Sequence, residues 1–221
     1  MTADPLVLIA EVDRATSRLV ETVRTLDGNG LAAPSLCDGW TRGHVLSHLS
    51  RNADAYLNLL DWARTGVETP MYVSPEARDA DIDAGANRPL DVQLSDLTGS
   101  AAALRAAVDR LPASAWTVRV RFASGTVAPA ARVVWSRLCE VELHHVDLAA
   151  GYGPADWPEA FSRRLLRETL ATSALAELVS GSAPRVTGPE HILVAWLTGR
   201  SDGAGLTVSP PGALPPVPKW K

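Results

Sequence analysis

The chain has 221 residues, 46% hydrophobic and 21% charged, the balance of a soluble globular protein that can bury a sizeable core without covalent staples. A net charge of −4 excludes a general nucleic-acid footprint. The two cysteines, Cys37 and Cys139, make no disulfide framework and read as buried reduced thiols. The start of the chain lacks a signal-peptide pattern, and no apolar run reaches the roughly 18 residues of a membrane span. The expectation is a cytoplasmic protein, monomeric or weakly dimeric, with no nucleic-acid or membrane partner.

Asp4-Pro5 reads as a helix start, with Asp as the cap and Pro in the first helical position. Leu6, Ile9, Val12, Val20, Val23 and Leu26 follow at helical spacing, and the helix is expected to stop before Gly28-Asn29-Gly30. Leu31 to Trp40 reads as a loop. Thr41 is a suitable cap for a second helix that ends near Gly66. That helix carries a polar stripe of His44, His48, Asn52 and Tyr56, each one turn further on, which must face water or line a cavity.

Glu68 to Val73 reads as a connection, and Ser74-Pro75-Glu76 opens a short helix ending before Pro89. Asp91 precedes a third long pattern with Leu94, Leu97, Leu104, Val108 and Leu111. Trp116 to Phe122 alternates and is followed by Ser124-Gly125, the pattern of a small hairpin. A fourth long helix is expected from Pro129 to Gly151, with Val133, Val134, Leu138, Val141 and Leu148 on its apolar side. Four long helices with one irregular crossover describe a four-helix bundle, with a domain boundary near residue 153. Beyond it come a helical pattern from Pro158 to Leu178, a loop at Ser180-Gly181-Ser182 and a short strand at Arg185-Val186-Thr187. A last helix runs from Gly188-Pro189 through Leu197, and an extended proline-rich tail starts at Ser209.

The most informative stretch is Cys139-Glu140-Val141-Glu142-Leu143-His144-His145-Val146-Asp147. Glu140 and His144 are four apart and share a helix face, so a carboxylate and an imidazole can hold one metal ion from one side. His48, on the second helix, is the candidate third ligand. Two imidazoles and one carboxylate leave a coordination position open, as catalytic zinc sites do, although such a set also accepts iron(II). Spacing alone leaves a plainer reading in place, a chance surface pair and a satisfied core histidine. His145 points about 100° away from His144 and is expected to be exposed or to back the site, and Glu142 is expected to be solvated. Asp147 lies one turn after His144 and is placed to orient it or to cap a neighbour. His44 reads as structural and His191 as a capping or surface residue. There is no Gly-x-Ser-x-Gly elbow, P-loop or dinucleotide fingerprint.

Several motifs together resemble the mycothiol-dependent maleylpyruvate isomerases, within the DinB-like metalloenzymes. The most specific is Thr69-Pro70-Met71-Tyr72-Val73-Ser74-Pro75-Glu76-Ala77-Arg78. Others are Gly39-Trp40-Thr41-Arg42, His44, His48, Asn52-Ala53, Glu140 with His144, and Val146-Asp147-Leu148. Pro218-Lys219-Trp220 also resembles the family, which has arginine at the position of Lys219. The likeness covers the first 150 residues well, and the C-terminal part looks shortened around residues 180 to 188.

The resemblance implies a mainly α fold, a DinB-like four-helix bundle (residues 1–153) followed by a small α/β domain (154–221), with Zn²⁺ on His48, Glu140 and His144. It implies mycothiol as a thiol cofactor and cis-trans isomerisation of maleylpyruvate to fumarylpyruvate, a step of gentisate degradation. Because that substrate is a dianion, cationic side chains should meet it, with Arg78 first, Lys219 second and Arg200 third, the last as a cofactor-binding candidate. Other readings are a mycothiol S-transferase acting on another electrophile and a non-catalytic zinc- or thiol-binding module.

Overall fold

The computed structural model describes residues 5–171 and 184–217. Asp4, Leu175, the Ser180-Gly181-Ser182 loop and Pro218-Lys219-Trp220 therefore lie outside the described residues. The chain divides into two compact units, Met1–Ala150 and Gly151–Lys221.

In the first unit α1 (Pro5–Arg24) buries Leu8, Val12, Ala15, Leu19 and Val23, at spacings of three and four that make one continuous stripe. It stops three residues earlier than the apolar pattern suggests. Asp27 accepts from Gly30 N at 2.6 Å and caps a separate turn, α2 (Gly28–Ala32), where a loop was expected. Helix α3 (Arg42–Thr65) starts at Thr41. The Thr41 hydroxyl caps its first turn, and Thr41 N donates to His44 Nδ1 at 3.2 Å. It ends at Gly66, whose φ of 77° only glycine adopts readily and whose N–H donates to Trp62 O.

Helix α4 (Pro75–Ala86) has Ser74 as cap and Pro75 in its first turn. It lies very close to α3. A Cβ on Gly43 would fall 2.0 Å from Ala86 O, a backbone atom, so glycine is required there; one on Gly85 would fall 2.2 Å from Ser47 Oγ, which would have to turn aside. Helix α5 (Leu90–Asp109) buries Leu97, Leu104 and Val108. An antiparallel hairpin follows, β1 (Arg119–Arg121) with β2 (Val127–Pro129), Val120 facing Ala128. Pro129 closes that hairpin, so the fourth long helix, α6 (Arg132–Asp147), begins three residues later than expected.

Helices α1, α3, α5 and α6 close a four-helix bundle: α1 and α3 each pack against both α5 and α6. Its core includes Leu46, Leu49, Leu59, Leu138 and Val141, each under 2% exposed and contributing about 1.5–3 kcal/mol by burial. α4 is laid on the outside of α3.

The second unit contains α7 (Glu159–Leu170), β3 (Arg185–Thr187), α8 (Glu190–Leu197) and β4 (Thr207–Ser209). β3 pairs antiparallel with β4, a strand that the tail did not reveal. Phe161 and Leu165 of α7 and Val194 and Leu197 of α8 are buried, as α7 packs on α8. The protein is thus mainly helical with two small two-stranded sheets among the described residues. No described helix is long and apolar enough to cross a membrane.

Candidate metal centre

The polar stripe of α3 and the Glu-x-x-x-His face of α6 meet inside the bundle. Helix α3 brings His48, 5% exposed, and α6 brings Glu140 and His144. The segment before α3 is tied to the end of α6. Leu36 N donates to Asp147 O at 2.8 Å, and Arg42 donates to Leu148 O and Ala149 O, each at 2.6 Å. Those carbonyls have no intrahelical donor, so Arg42 caps α6 and fixes Trp40 and Cys37 beside the histidines.

Glu140 Oε2 lies 2.9 Å from His48 Nε2 and 3.4 Å from His144 Nε2. The two imidazole rings meet edge to face, with centroids 4.6 Å apart. All three donor atoms lie within 4.8 Å of one another. Ligand atoms held tetrahedrally by an ion at about 2.0–2.1 Å stand about 3.3 Å apart, so the cluster has the size and donor chemistry that Zn²⁺ requires.

The second nitrogen of His144 is also engaged. Its Nδ1 lies 2.9 Å from Asp147 Oδ2 and 4.0 Å from Cys37 Sγ. Cys37, His144 and Asp147 thus form a second group of possible ligand atoms. The same Asp147 contact is what a histidine ligating through Nε2 needs behind it, because it fixes the proton on Nδ1 and turns the Nε2 lone pair toward the cluster. The His48/Glu140/His144 set is therefore the better fit.

The electrostatics are those of a closely coupled trio. Burial alone would raise the Glu140 carboxyl, but its hydrogen bonds to His144 and His48 and their charge hold it well below the ordinary carboxylate range. Burial would lower His144, yet its bonds to Asp147, Cys37 and Glu140 outweigh this and hold it well above an ordinary imidazole. His48 goes the other way: burial and the nearby His144 and Arg78 charges lower it in spite of Glu140.

Around the trio are an aromatic wall and one cation. Trp40 packs on His48 with ring centroids 5.5 Å apart. The Arg78 guanidinium lies over the Trp40 ring at 6.0 Å and the Tyr72 ring at 5.8 Å. Arg78 Nη2 comes within 3.4 Å of His48 Nδ1, and Nη1 is paired with Asp79. Burial raises the Tyr72 phenol. Asn52 accepts from the buried Arg137 at 2.9 Å.

Of the residues expected from sequence, His48, Glu140, His144 and Arg78 come together. Arg200 lies in the second unit just after α8, where it donates to Thr198 O at 2.8 Å. Lys219 is outside the described residues. Two expectations are corrected. His145 is 1% exposed and lies with Nε2 2.8 Å from Thr22 Oγ1, on the α1 side of α6. Glu142 is 1% exposed and paired with Arg18 at 2.6 Å. Both are buried because α6 is covered by α1 on one face and α3 on another, which a single-face reading of α6 misses. Neither cysteine is in a disulfide and both are half-buried, so the buried-thiol reading overstates their cover, and Cys37 stands at the site. Trp40 was legible only through the Gly39-Trp40-Thr41-Arg42 motif, and Cys37 carried no sequence signal.

Comparison with known proteins adds to this geometry. The family described as the mycothiol maleylpyruvate isomerase N-terminal domain matches residues 12–149. No protein with a curated description matches the chain. Among solved structures, a crystal structure of the mycothiol-dependent maleylpyruvate isomerase superposes with a TM-score of 0.90 at 33% identity, over 99% of this chain and 98% of that one. A histidine-to-alanine mutant of that isomerase superposes with a TM-score of 0.88 at 31% identity, over the same shares. The likeness thus runs through the second unit, beyond the first 150 residues to which the motifs pointed.

Proposed function

Because the chain belongs to the mycothiol maleylpyruvate isomerase N-terminal domain family, we propose that it isomerises maleylpyruvate to fumarylpyruvate with mycothiol as cofactor. We place the reaction at a zinc ion held by His48, Glu140 and His144. The observation that carries this reading is the convergence of Glu140 Oε2 with the Nε2 atoms of both histidines, with a cation, Arg78, against the same cluster.

Bound there, zinc and the thiol would together supply a thiolate that adds reversibly to a cis double bond, so that the bond can rotate before the thiol leaves. The protein's own groups do the rest. His144 keeps its proton on Nδ1, donated to Asp147, and presents Nε2. His48, ligating through Nε2, likewise keeps its proton on Nδ1. Arg78 then has no acceptor on that ring, and its guanidinium is released toward a substrate carboxylate, for which its planar fork is suited. Trp40 and Tyr72 hold the guanidinium in the site by their ring faces and exclude water from one side. Arg200 and Lys219 are assigned to anionic groups of cofactor and substrate, the second on the Pro218-Lys219-Trp220 motif.

The test is product analysis with purified protein, zinc, mycothiol and the cis substrate. The isomerase reading expects the trans product only when thiol is present. An adduct that retains the thiol would replace it with the S-transferase reading.

A further inference from the structure

The bundle core holds a buried charge, Arg137, that is not among the proposed metal ligands. Arg137 of α6 is 1% exposed. Its Nη1 donates to Leu49 O at 2.7 Å and Asn52 Oδ1 at 2.9 Å. The opposite edge, Nε and Nη2, is buried and has no hydrogen-bond partner. Those two N–H groups lie side by side in the guanidinium plane and point the same way. That is the fork that grips both oxygens of one carboxylate. Left dry and unpaired in a core, such donors are costly.

Arg137 is among the residues that line a cleft of about 480 Å³ between α1 and α5. This is within the size range of small-molecule pockets, roughly 300–1,000 Å³. Its walls are mixed: Ile9, Val12 and Val20 from α1 and Ala101 and Leu104 from α5 give an aliphatic part, and Glu21 and Arg24 line it as well. The same cleft is lined by Thr16, whose Oγ1 is a second buried polar atom without a partner. At its edge Asp13 and Arg105 are already paired with each other.

The unmet groups specify the occupant. An inorganic anion would satisfy the guanidinium edge and leave the aliphatic part of the walls wet. A neutral apolar molecule would cover that part and leave two guanidinium donors unpaired. A carboxylate with a short aliphatic tail meets both demands, and the Thr16 hydroxyl can donate to one of its oxygens. We propose that the α1–α5 cleft is a second small-molecule site, distinct from the metal cluster, that binds an aliphatic monocarboxylate on the free edge of Arg137.

The probe is hexanoate, titrated calorimetrically into the zinc-loaded protein, with hexanol as the neutral control. One saturable hexanoate site is expected, weakened at least about tenfold by Arg137→Gln, which removes a charge-assisted pair. Ala101→Phe fills the cleft without touching Arg137 and is expected to weaken binding by a similar factor. Thr16→Val is expected to weaken it a few-fold without lowering the melting temperature, because it removes a hydroxyl that has no partner. These two variants keep the test decisive if Arg137→Gln fails to fold. Absence of saturable binding would overturn the proposal. So would affinity unchanged in Ala101→Phe, which would place hexanoate at the metal cluster, or hexanol binding as tightly as hexanoate.

Discussion

Asp147 Oδ2 stands 2.9 Å from His144 Nδ1, on the side of the ring opposite the nitrogen that faces Glu140. Asp147 is 2% exposed, so this contact is sheltered from water. It decides which nitrogen of His144 is free to ligate. Asp147→Asn should lower zinc affinity about 10–100-fold, the usual cost of losing such a partner, while the helical circular-dichroism spectrum stays unchanged. Chelator competition measures this, and an unchanged affinity would remove Asp147 from the site.

The trio also sets a pH dependence. With His144 held well above, and Glu140 well below, their ordinary values of 6.5 and 4.5, the zinc-free cluster is an imidazolium–carboxylate pair at neutral pH. The raised histidine contributes stability below about 6.5 that is lost as pH rises through its folded value. The lowered carboxylate contributes stability above about 4.5 that is lost as pH falls through its own. Zinc must displace the His144 proton, so affinity should rise with pH by up to about tenfold per unit until that folded value is passed. Calorimetry at pH 7 in buffers of different ionisation enthalpy should register about one proton released per zinc bound. No proton release would contradict the imidazolium state of His144 in the zinc-free cluster.

Arg78 is a cation against the cluster, and its guanidinium meets His48, Trp40 and Tyr72. Arg78→Lys keeps the charge and loses the fork and the planar stacking. It should lower kcat/KM for the dianionic substrate about 10–100-fold, with Arg78→Met lower still. Zinc content should be unchanged in both. Loss of zinc together with activity would make Arg78 a structural support instead.

Placing Arg78 depends on how closely α4 approaches α3. Gly43→Ala would put a methyl 2.0 Å from Ala86 O, a backbone atom that cannot turn away. The helix-propensity gain of up to about 1 kcal/mol is outweighed by this clash, and a net loss of about 1–3 kcal/mol is expected. At about 2–4 °C per kcal/mol for a chain of this size, thermal melting resolves it. Zinc binding should survive, since His48, Glu140 and His144 all lie off α4.

Much of the bundle was legible because its signals are local. Thr41, Ser74 and Pro75 start helices where capping chemistry says they should, and Leu97, Leu104 and Val108 repeat with the helical period. Glu140 and His144 share a face by spacing alone, but nothing local says that His48 faces them. Only packing of α3 on α6 brings that residue in; the sequence offered it as a candidate third ligand, and the family motifs strengthened that reading. Features set by long-range contacts were not legible. Glu142 and His145 look like surface residues by composition and are buried because α1 covers them. Cys37 reaches His144 because Arg42 ties its loop to the end of α6. The strand β4 exists only through its pairing with β3, and a three-residue strand leaves little periodicity to read.

The most direct test of the central claim is thiol recovery after full turnover of maleylpyruvate by the zinc-loaded protein, run beside His48→Ala. The account predicts complete conversion to fumarylpyruvate, all of the mycothiol returned as free thiol, and no thiol-dependent conversion by a folded His48→Ala protein. Thiol lost stoichiometrically into product, or a His48→Ala protein that still turns over with thiol, would contradict it.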